Sequence, residues 1–464
     1  MLMRFSRSVE PSPPKRLKLS DLKDMFSFVT WSCNTLYGNA FSGMTITPKR
    51  DEKQTECHRI NLEEGPTVTP TMLLNEVFAQ FDANCKSIEL DSSDVPFALE
   101  LSNTLSSPFS SEEEFAVTAL ALLNEYLFEG LSDTPIRPKK KILGEAKSDG
   151  TYSCESKLLL SVKFHRENGE RDSTMHNIGC YIHALPDPVD CQIPSFLLDF
   201  SGPLLNVSGI VNVGEDKLVC DPLSVSFPLV FSDNDDLLLG LARLCASLKT
   251  AVRELRTLSI SNSESLKPPM DQLQFPFKRS YEKDGVVTKF TYTKRIVKCT
   301  FEAKTESGVE VIVKFSRTYG KEVHEYCAKA GVAPALLHCE TLVSGWIFIV
   351  MEKSNSTLLV NVLQERGLAR QLLEPKINQI RELLRAKNFV HGDLRVSNLM
   401  WEEDKKELTI IDFDWAGKCG EVVYPPLINT TAHWPDGVAP GKAIEAAHDE
   451  YWLDLVLELD EVTE

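Results

Sequence analysis

FVHGDLRVSNLMW, Phe389 to Trp401, sets His391, Gly392, Asp393, Arg395 and Asn398 inside an apolar frame. A plain core has no use for that mixture, because every polar side chain taken out of water must find a partner. Asp393 and Asn398 stand five positions apart. The spacing asks for chemistry that uses a carboxylate and an amide together, and the flanking sequence has to supply the rest.

Upstream, QLLEPKINQIRELLRAKN (371–388) reads as a helix with Leu372, Ile377, Ile380, Leu383 and Leu384 inside. Downstream, ELTIIDFDWAG (407–417) reads as a strand ending in Asp412 and Asp414. Residues 290–316 read as three strands, and the last of them, VIVKF, carries Lys314 among apolar neighbours. YGKEVHEYCAKAG is a short helix that holds Glu322 and Glu325 and ends at Gly331. SGWIFIVME (344–352) is a buried strand, and Met351 near its end is assigned to a nucleotide site. Sheet first and helices after is an α+β order.

These are the parts that phosphoryl transfer requires: metal ions across the phosphates, a cation on them, and a carboxylate aimed at the acceptor hydroxyl. Asp393 takes the last role. Asn398 and Asp412 are oxygen donors for Mg²⁺. Lys314 is the cation for the α/β-phosphates of ATP, steadied by a glutamate of the next helix. Each residue alone has a plainer explanation. A strand Lys is usually a surface residue, an Asp–Asn pair a turn device, and Asp412 a strand cap. It is their order that carries the reading.

With that order the chain resembles the protein-kinase-like superfamily, whose signatures are a strand Lys, a D-x-x-x-x-N loop and a D-F-G-like metal motif. The resemblance implies a two-lobed fold, and Asp412 lies so near the end, 52 residues before Glu464, that the second lobe is expected to be minimal. It places Arg395 near the γ-phosphate, and Asp449 in HDEYWLDLVLELD as the anchor of the catalytic loop. Gly392 stands where most protein kinases have the Arg that pairs with an activation-loop phosphate. H-G-D and I-D-F-D are more similar to aminoglycoside and choline kinases. No G-x-G-x-x-G precedes Lys314; YTKRIVKCTFEA (292–303) is the expected phosphate-side turn, and without glycine it brings fewer backbone N–H groups to phosphate. YGKEVHEYCAKAGVAPALL, HGDLRVSNLM, IDFDWAGKCGEVVYP and HWPDGVAPGKAI look more closely like fungal-type protein kinases, related to the kinase modules of Crinkler-type effectors. That resemblance covers 285–464, implies a protein Ser/Thr substrate, and favours Glu322 over Glu325 as the partner of Lys314.

The remainder is organised as a disordered basic tail over 1–20, an α/β domain over 21–258 and a Ser-, Pro- and Lys-rich linker over 259–284. Helices are expected over 70–84, from the capping pair Ser111 and Glu114 to near Gly130, and over Asp236–Leu258; five strand-like segments lie between the last two. SNTLSSPFSSEEE reads as a polar bridge. Glu145-x-Lys147, 12 residues after Asp133, outlines a D…E-x-K nuclease, in which carboxylates hold Mg²⁺ and the Lys polarises water or the scissile phosphate. Alternation on an exposed strand face yields the same residues. The segment from SFLLDFSG onward is similar to the restriction-endonuclease-like region that precedes such kinases. SDGTYSCES departs from that family's pattern, so a decayed or scaffolding domain stands beside the nuclease reading.

Net charge is −17, which argues against nonspecific coating of nucleic acid, although Lys139 to Lys141 form a local basic cluster. No apolar run reaches the roughly 18 residues of a membrane span. The twelve Cys show no CxxC pair and read as reduced intracellular thiols, not as a disulfide or zinc framework. Lys15, Arg16 and Lys18 on the Pro-stiffened tail suit a nuclear import receptor, or are a solvated cluster. Three functions follow: an ATP- and Mg²⁺-dependent kinase of proteins, a pseudokinase that binds without turnover, and a nuclease regulated by the kinase-like domain.

Overall fold

The computed structural model describes residues 69–106, 109–131, 136, 148–165, 173–186, 191–214, 217–230, 234–261, 269–429 and 432–459. The basic tail with Lys15, Arg16 and Lys18, and the nuclease-like residues Asp133, Glu145 and Lys147, lie outside the described residues. The chain divides into two compact units, which meet in sequence between Phe277 and Lys278.

The first unit is built on a mixed sheet. Its strands are β1 (Gly150–Cys154), β2 (Lys157–His165), β3 (Ser195–Ser201), β4 (Leu204–Gly214) and β5 (Lys217–Pro222), in that spatial order, with the short β6 (Phe227–Pro228) beside β4. Only β2 and β3 run parallel among these pairs. A parallel pair needs a crossover, and the helix Ser173–Ala184 provides it. The pattern STMHNIGCYIHA hid this helix, since Thr, His, Asn and Gly are poor helix formers.

Four longer helices accompany the sheet: Glu76–Ser87, Asp94–Leu105, Glu112–Leu127 and Asp235–Ser261. Ser111 caps the third as expected, accepting the Glu114 N–H at 3.1 Å. The return bond of a capping box is displaced by one residue: the Ser110 N–H donates to the Glu114 carboxylate at 2.9 Å. The start of the expected polar bridge is helical through Leu105. Phe97, Ala98 and Leu101 enter the core there, and the Ser102 hydroxyl donates to the Leu229 carbonyl.

The stretch read as one linker, 259–284, is corrected. Its start belongs to the long helix, which runs to Ser261. Leu273 and Phe275 are buried, and the Phe277 N–H donates to the Leu73 carbonyl at 2.8 Å, so this part packs into the first unit. Ser280–Lys283 is already a strand of the second unit. Apolar side chains with a core to enter outweighed the Ser and Pro content around them.

The second unit opens with an antiparallel sheet of β7 (Ser280–Lys283), β8 (Val286–Val297), β9 (Thr300–Thr305), β10 (Glu310–Ser316), β11 (Leu336–Thr341) and β12 (Ile347–Glu352). Their spatial order is β11-β12-β10-β9-β8-β7. The period of two along β10 buries Val311, Val313 and Phe315 on one face and turns Lys314 and Ser316 to the other. The helix Lys321–Lys329 follows β10, and two further helices, Leu359–Arg366 and Arg370–Ala386, follow the sheet. The inward stripe of the latter is Leu373, Ile377, Ile380 and Leu384. Leu372, expected inside, is 43% exposed, because it falls out of phase with that 4-3-4 spacing. Short strand pairs then carry the opening stretch: Phe389–Val390 beside Gly417–Lys418, and Leu399–Glu402 beside Glu407–Ile410. The helix Ala446–Leu459 is the last element described.

Candidate active site

The helix Arg370–Ala386 delivers the chain to Phe389, and Val390 hands it to His391. The backbone N–H groups of His391 and Gly392 donate to the two oxygens of Asp449, at 2.6 and 2.9 Å. Burial, with Asp393 and Glu450 nearby, pushes the Asp449 carboxyl up to about 7. Asp449 is thus the buried bracket of the loop. Gly392 has φ +82°, and a Cβ there would lie 2.9 Å from Ile444 and 3.1 Å from Trp415. An Arg at this position has neither the backbone conformation nor the space.

Asp393 is buried, and Arg395 grips it with two hydrogen bonds, Nε to Oδ1 and Nη2 to Oδ2, the latter at 2.8 Å. The Arg395 guanidinium also lies 5.3 Å from the Trp434 ring centroid. Asn398 folds back through a short 3₁₀ turn. Its Nδ2 donates to the Asp393 carbonyl at 2.8 Å and to Asp393 Oδ2 at 2.9 Å. That use of the amide nitrogen leaves Oδ1 as its remaining acceptor. The spacing of five is explained: the turn returns Asn398 to Asp393.

The Ile411 N–H donates to the Asn398 carbonyl at 3.0 Å, which ties the second acidic motif to the first. Asp412 sits at φ +71°, a left-handed conformation uncommon outside glycine. Lys314 reaches across from β10 and pairs with Asp412, and with Asp414 at 2.7 Å. Burial alone would raise Asp412, but the Lys314 charge and hydrogen bond hold its carboxyl below the ordinary value. Asp414 goes the other way: burial and the neighbouring Asp412 lift it to about 6, against the pull of Lys314. For Lys314 itself burial disfavours the charge, and the two carboxylates more than restore it.

Phe413 fixes this segment. It stacks on His324 at 4.5 Å and meets His391 edge-on at 5.1 Å. The Phe413 carbonyl accepts the Gly320 N–H at 2.8 Å. A Cβ on Gly320 would lie 2.4 Å from the Ala416 carbonyl oxygen, so helix and acidic motif approach backbone to backbone. His324 is hydrogen-bonded to Tyr319 and to the Pro334 carbonyl, and burial lowers it to about 4, which leaves it neutral.

The expected residues thus divide. Lys314, Asp412, Asp393, Arg395 and Asn398 belong to one connected set of contacts. Glu322 does not join it: it is exposed on the first turn of its helix, and Lys314 pairs with Asp412 and Asp414 instead. Glu325 lies 3.9 Å from Lys321. Met351 is buried on β12, in register with Ile312 and Leu336. Asp414 stood in plain view in I-D-F-D, but the choice between it and the helix glutamates needs the third dimension. The glycine-free turn is the two-residue connection Lys298–Cys299, with Lys298 at φ +46°. Lys298 is exposed, and its charge helps to lower Asp412.

Among the described residues no three His, Cys, Asp or Glu side chains gather as a metal cage. The oxygens on offer are Asp412, whose side chain is 42% exposed, and Asn398 Oδ1. A hard cation that completes its shell with phosphate oxygens needs no more from the protein, so the donor set fits Mg²⁺ carried with a nucleotide. No helix among the described residues is long and apolar enough to cross a membrane.

Residues 350–418 match the phosphotransferase enzyme family, APH. The match contains the whole of the opening stretch together with Asp412 and Asp414. Among solved structures, a kinase of the Cydia pomonella granulovirus is similar at 17% identity and a TM-score of 0.31, over 38% of this chain and 69% of that one. No curated protein matches. Residues 350–418 therefore carry a phosphotransferase signature.

Proposed function

We propose that the chain is an ATP- and Mg²⁺-dependent protein kinase of the fungal type, transferring the γ-phosphate to a Ser or Thr hydroxyl from a two-lobed domain that starts near residue 278. The observation that carries the reading is the linked pair of ion contacts: Lys314 with Asp412 on one side, Arg395 with Asp393 on the other, and Asn398 bound to Asp393. Both pairs are poised for exchange. Nucleotide phosphates compete with the carboxylates for Lys314 and Arg395, since each is a fixed cation seeking oxygen anions. When Arg395 turns to the γ-phosphate, it uncovers Asp393. Asp393 then accepts the proton of the acceptor hydroxyl, with Asn398 Nδ2 holding its Oδ2. Asp412 and Asn398 Oδ1 would hold Mg²⁺. The bound metal would neutralise charge developing on the phosphates.

The pseudokinase reading has one observation in its favour: both oxygens of Asp393 are covered by Arg395 and Asn398. One measurement separates the two, transfer of γ-phosphate from ATP with Mg²⁺ by the wild type and by Asp393→Asn. Transfer that the substitution abolishes supports the kinase. The same background rate in both proteins overturns it. For the first unit we propose a restriction-endonuclease-like scaffold without turnover, and nucleic-acid cleavage abolished by Glu145→Ala would refute that. Nuclear or cytoplasmic residence, through Lys15, Arg16 and Lys18, is checked by imaging the tail fused to a reporter.

A further inference from the structure

A lysine that binds phosphate must be held, and the held position needs a carboxylate that the metal does not take. Lys314 has two carboxylates within ion-pair distance, Asp412 and Asp414. They are not equivalent. The Asp412 side chain is 42% exposed and that of Asp414 is 26% exposed, so Asp412 is the one open to an arriving cation. Asp414 is set against the strand through Lys314, 2.7 Å away.

The helix that follows β10 offers no substitute. Glu322 is exposed, and the inward residues of that helix are Val323, His324 and Cys327. His324 is neutral and already occupied by Tyr319 and Pro334. The geometry points to a division of labour, and we infer that Asp414, not a helix glutamate, is the positioning residue for Lys314 when Asp412 is given over to the metal. Phe413, clamped between His324 and His391, sets the distance between the two carboxylates. The inference rests on the phosphotransferase reading and adds to it the carboxylate that holds the lysine.

The test uses the full chain as wild type, Asp414→Asn, Glu322→Gln, Lys314→Ala and the double variant Lys314→Ala/Asp414→Asn. Affinity for ATP·Mg²⁺ is measured by calorimetry, hydrolysis of ATP by phosphate release, and each is repeated across a Mg²⁺ titration. Asp414→Asn is expected to weaken ATP binding about 10- to 100-fold, the usual effect of losing a charged hydrogen bond. Glu322→Gln stays within about twofold of wild type. Asp414→Asn adds nothing in the Lys314→Ala background, because its effect passes through the lysine. The half-saturating Mg²⁺ concentration stays at the wild-type value. A shifted Mg²⁺ requirement makes Asp414 a metal ligand and overturns the proposal, as does an equal loss in Glu322→Gln or an undiminished effect in the double variant. If Asp414→Asn does not fold by circular dichroism, Asp414→Ser, which is smaller and also removes the charge, replaces it under the same criteria. A wild type that binds no ATP removes the phosphotransferase reading itself; a wild type that binds while Asp414→Asn is unaltered removes only this proposal.

Discussion

Both units bury Asp, Asn and Lys side chains, and they use them in opposite ways. In the first unit the helix Ser173–Ala184 is tied to β2 and β3 by polar groups of which Ser161, Asn177 and Asp199 are wholly buried. Ser161 donates to Asn177, whose Nδ2 donates in turn to Asp199, both at 2.7 Å, and Thr174 donates to the other Asp199 oxygen at 2.9 Å. Lys163 and Asp149 pair at 2.8 Å beside them. Each member is committed to a neighbour. In the second unit the same residue types keep something in reserve: Asn398 has an uncommitted oxygen, Asp412 is 42% exposed, and two cations, Lys314 and Arg395, pair with carboxylates at the same edge. The difference teaches how to tell a structural polar network from a site. Burial is common to both, and the unused acceptor at an open edge is found in one.

Four substitutions break or sharpen that contrast. The largest effect belongs to Asp393→Asn: phosphate transfer falls by about 10³- to 10⁴-fold while the thermal midpoint barely moves, since the amide keeps the shape of the loop. Asp199→Ala should do the reverse. It leaves Thr174 and one of the two Asn177 N–H donors without an acceptor and costs about 3 kcal/mol of stability, read by denaturant unfolding, with transfer per folded molecule unchanged.

The third effect concerns pH. The folded carboxyl of Asp449 lies at about 7, above its unfolded value, so the native state binds the extra proton between them. Stability from this group is therefore full at about pH 4 and declines as pH rises toward 7. Asp449→Asn flattens that decline, by about 4 kcal/mol across the window, in urea titrations at several pH values. The smallest effect is at the glycine-free turn. Lys298→Ala raises the KM for ATP about five- to tenfold and steepens no other parameter, because an exposed cation contributes roughly 1 kcal/mol to phosphate binding.

The stretch around Asp393 was legible because its spacing is local. Asp393 to Asn398 is one turn, and Asp412 follows a strand that pairs with the strand after Asn398. Lys314 was legible as a charge on an otherwise apolar strand. The helix Ser173–Ala184 was not, since its residues are weak helix formers held by the sheet they cover. The end of the expected linker was misread for a similar reason: Leu273 and Phe275 look like linker residues until a core receives them.

The order of residue types, by itself, pointed to a lysine, two acidic motifs and an amide as the parts of one site, because each needs only its own strand or turn to face the right way. The tertiary structure decided that aspartates, not a helix glutamate, pair with the lysine. Along the chain Glu322 was the favoured partner. The approach of Gly320 to Ala416, and of Phe413 to His324, turns the helix so that His324 faces inward and the glutamates face out, and no local spacing encodes how deeply two distant segments pack.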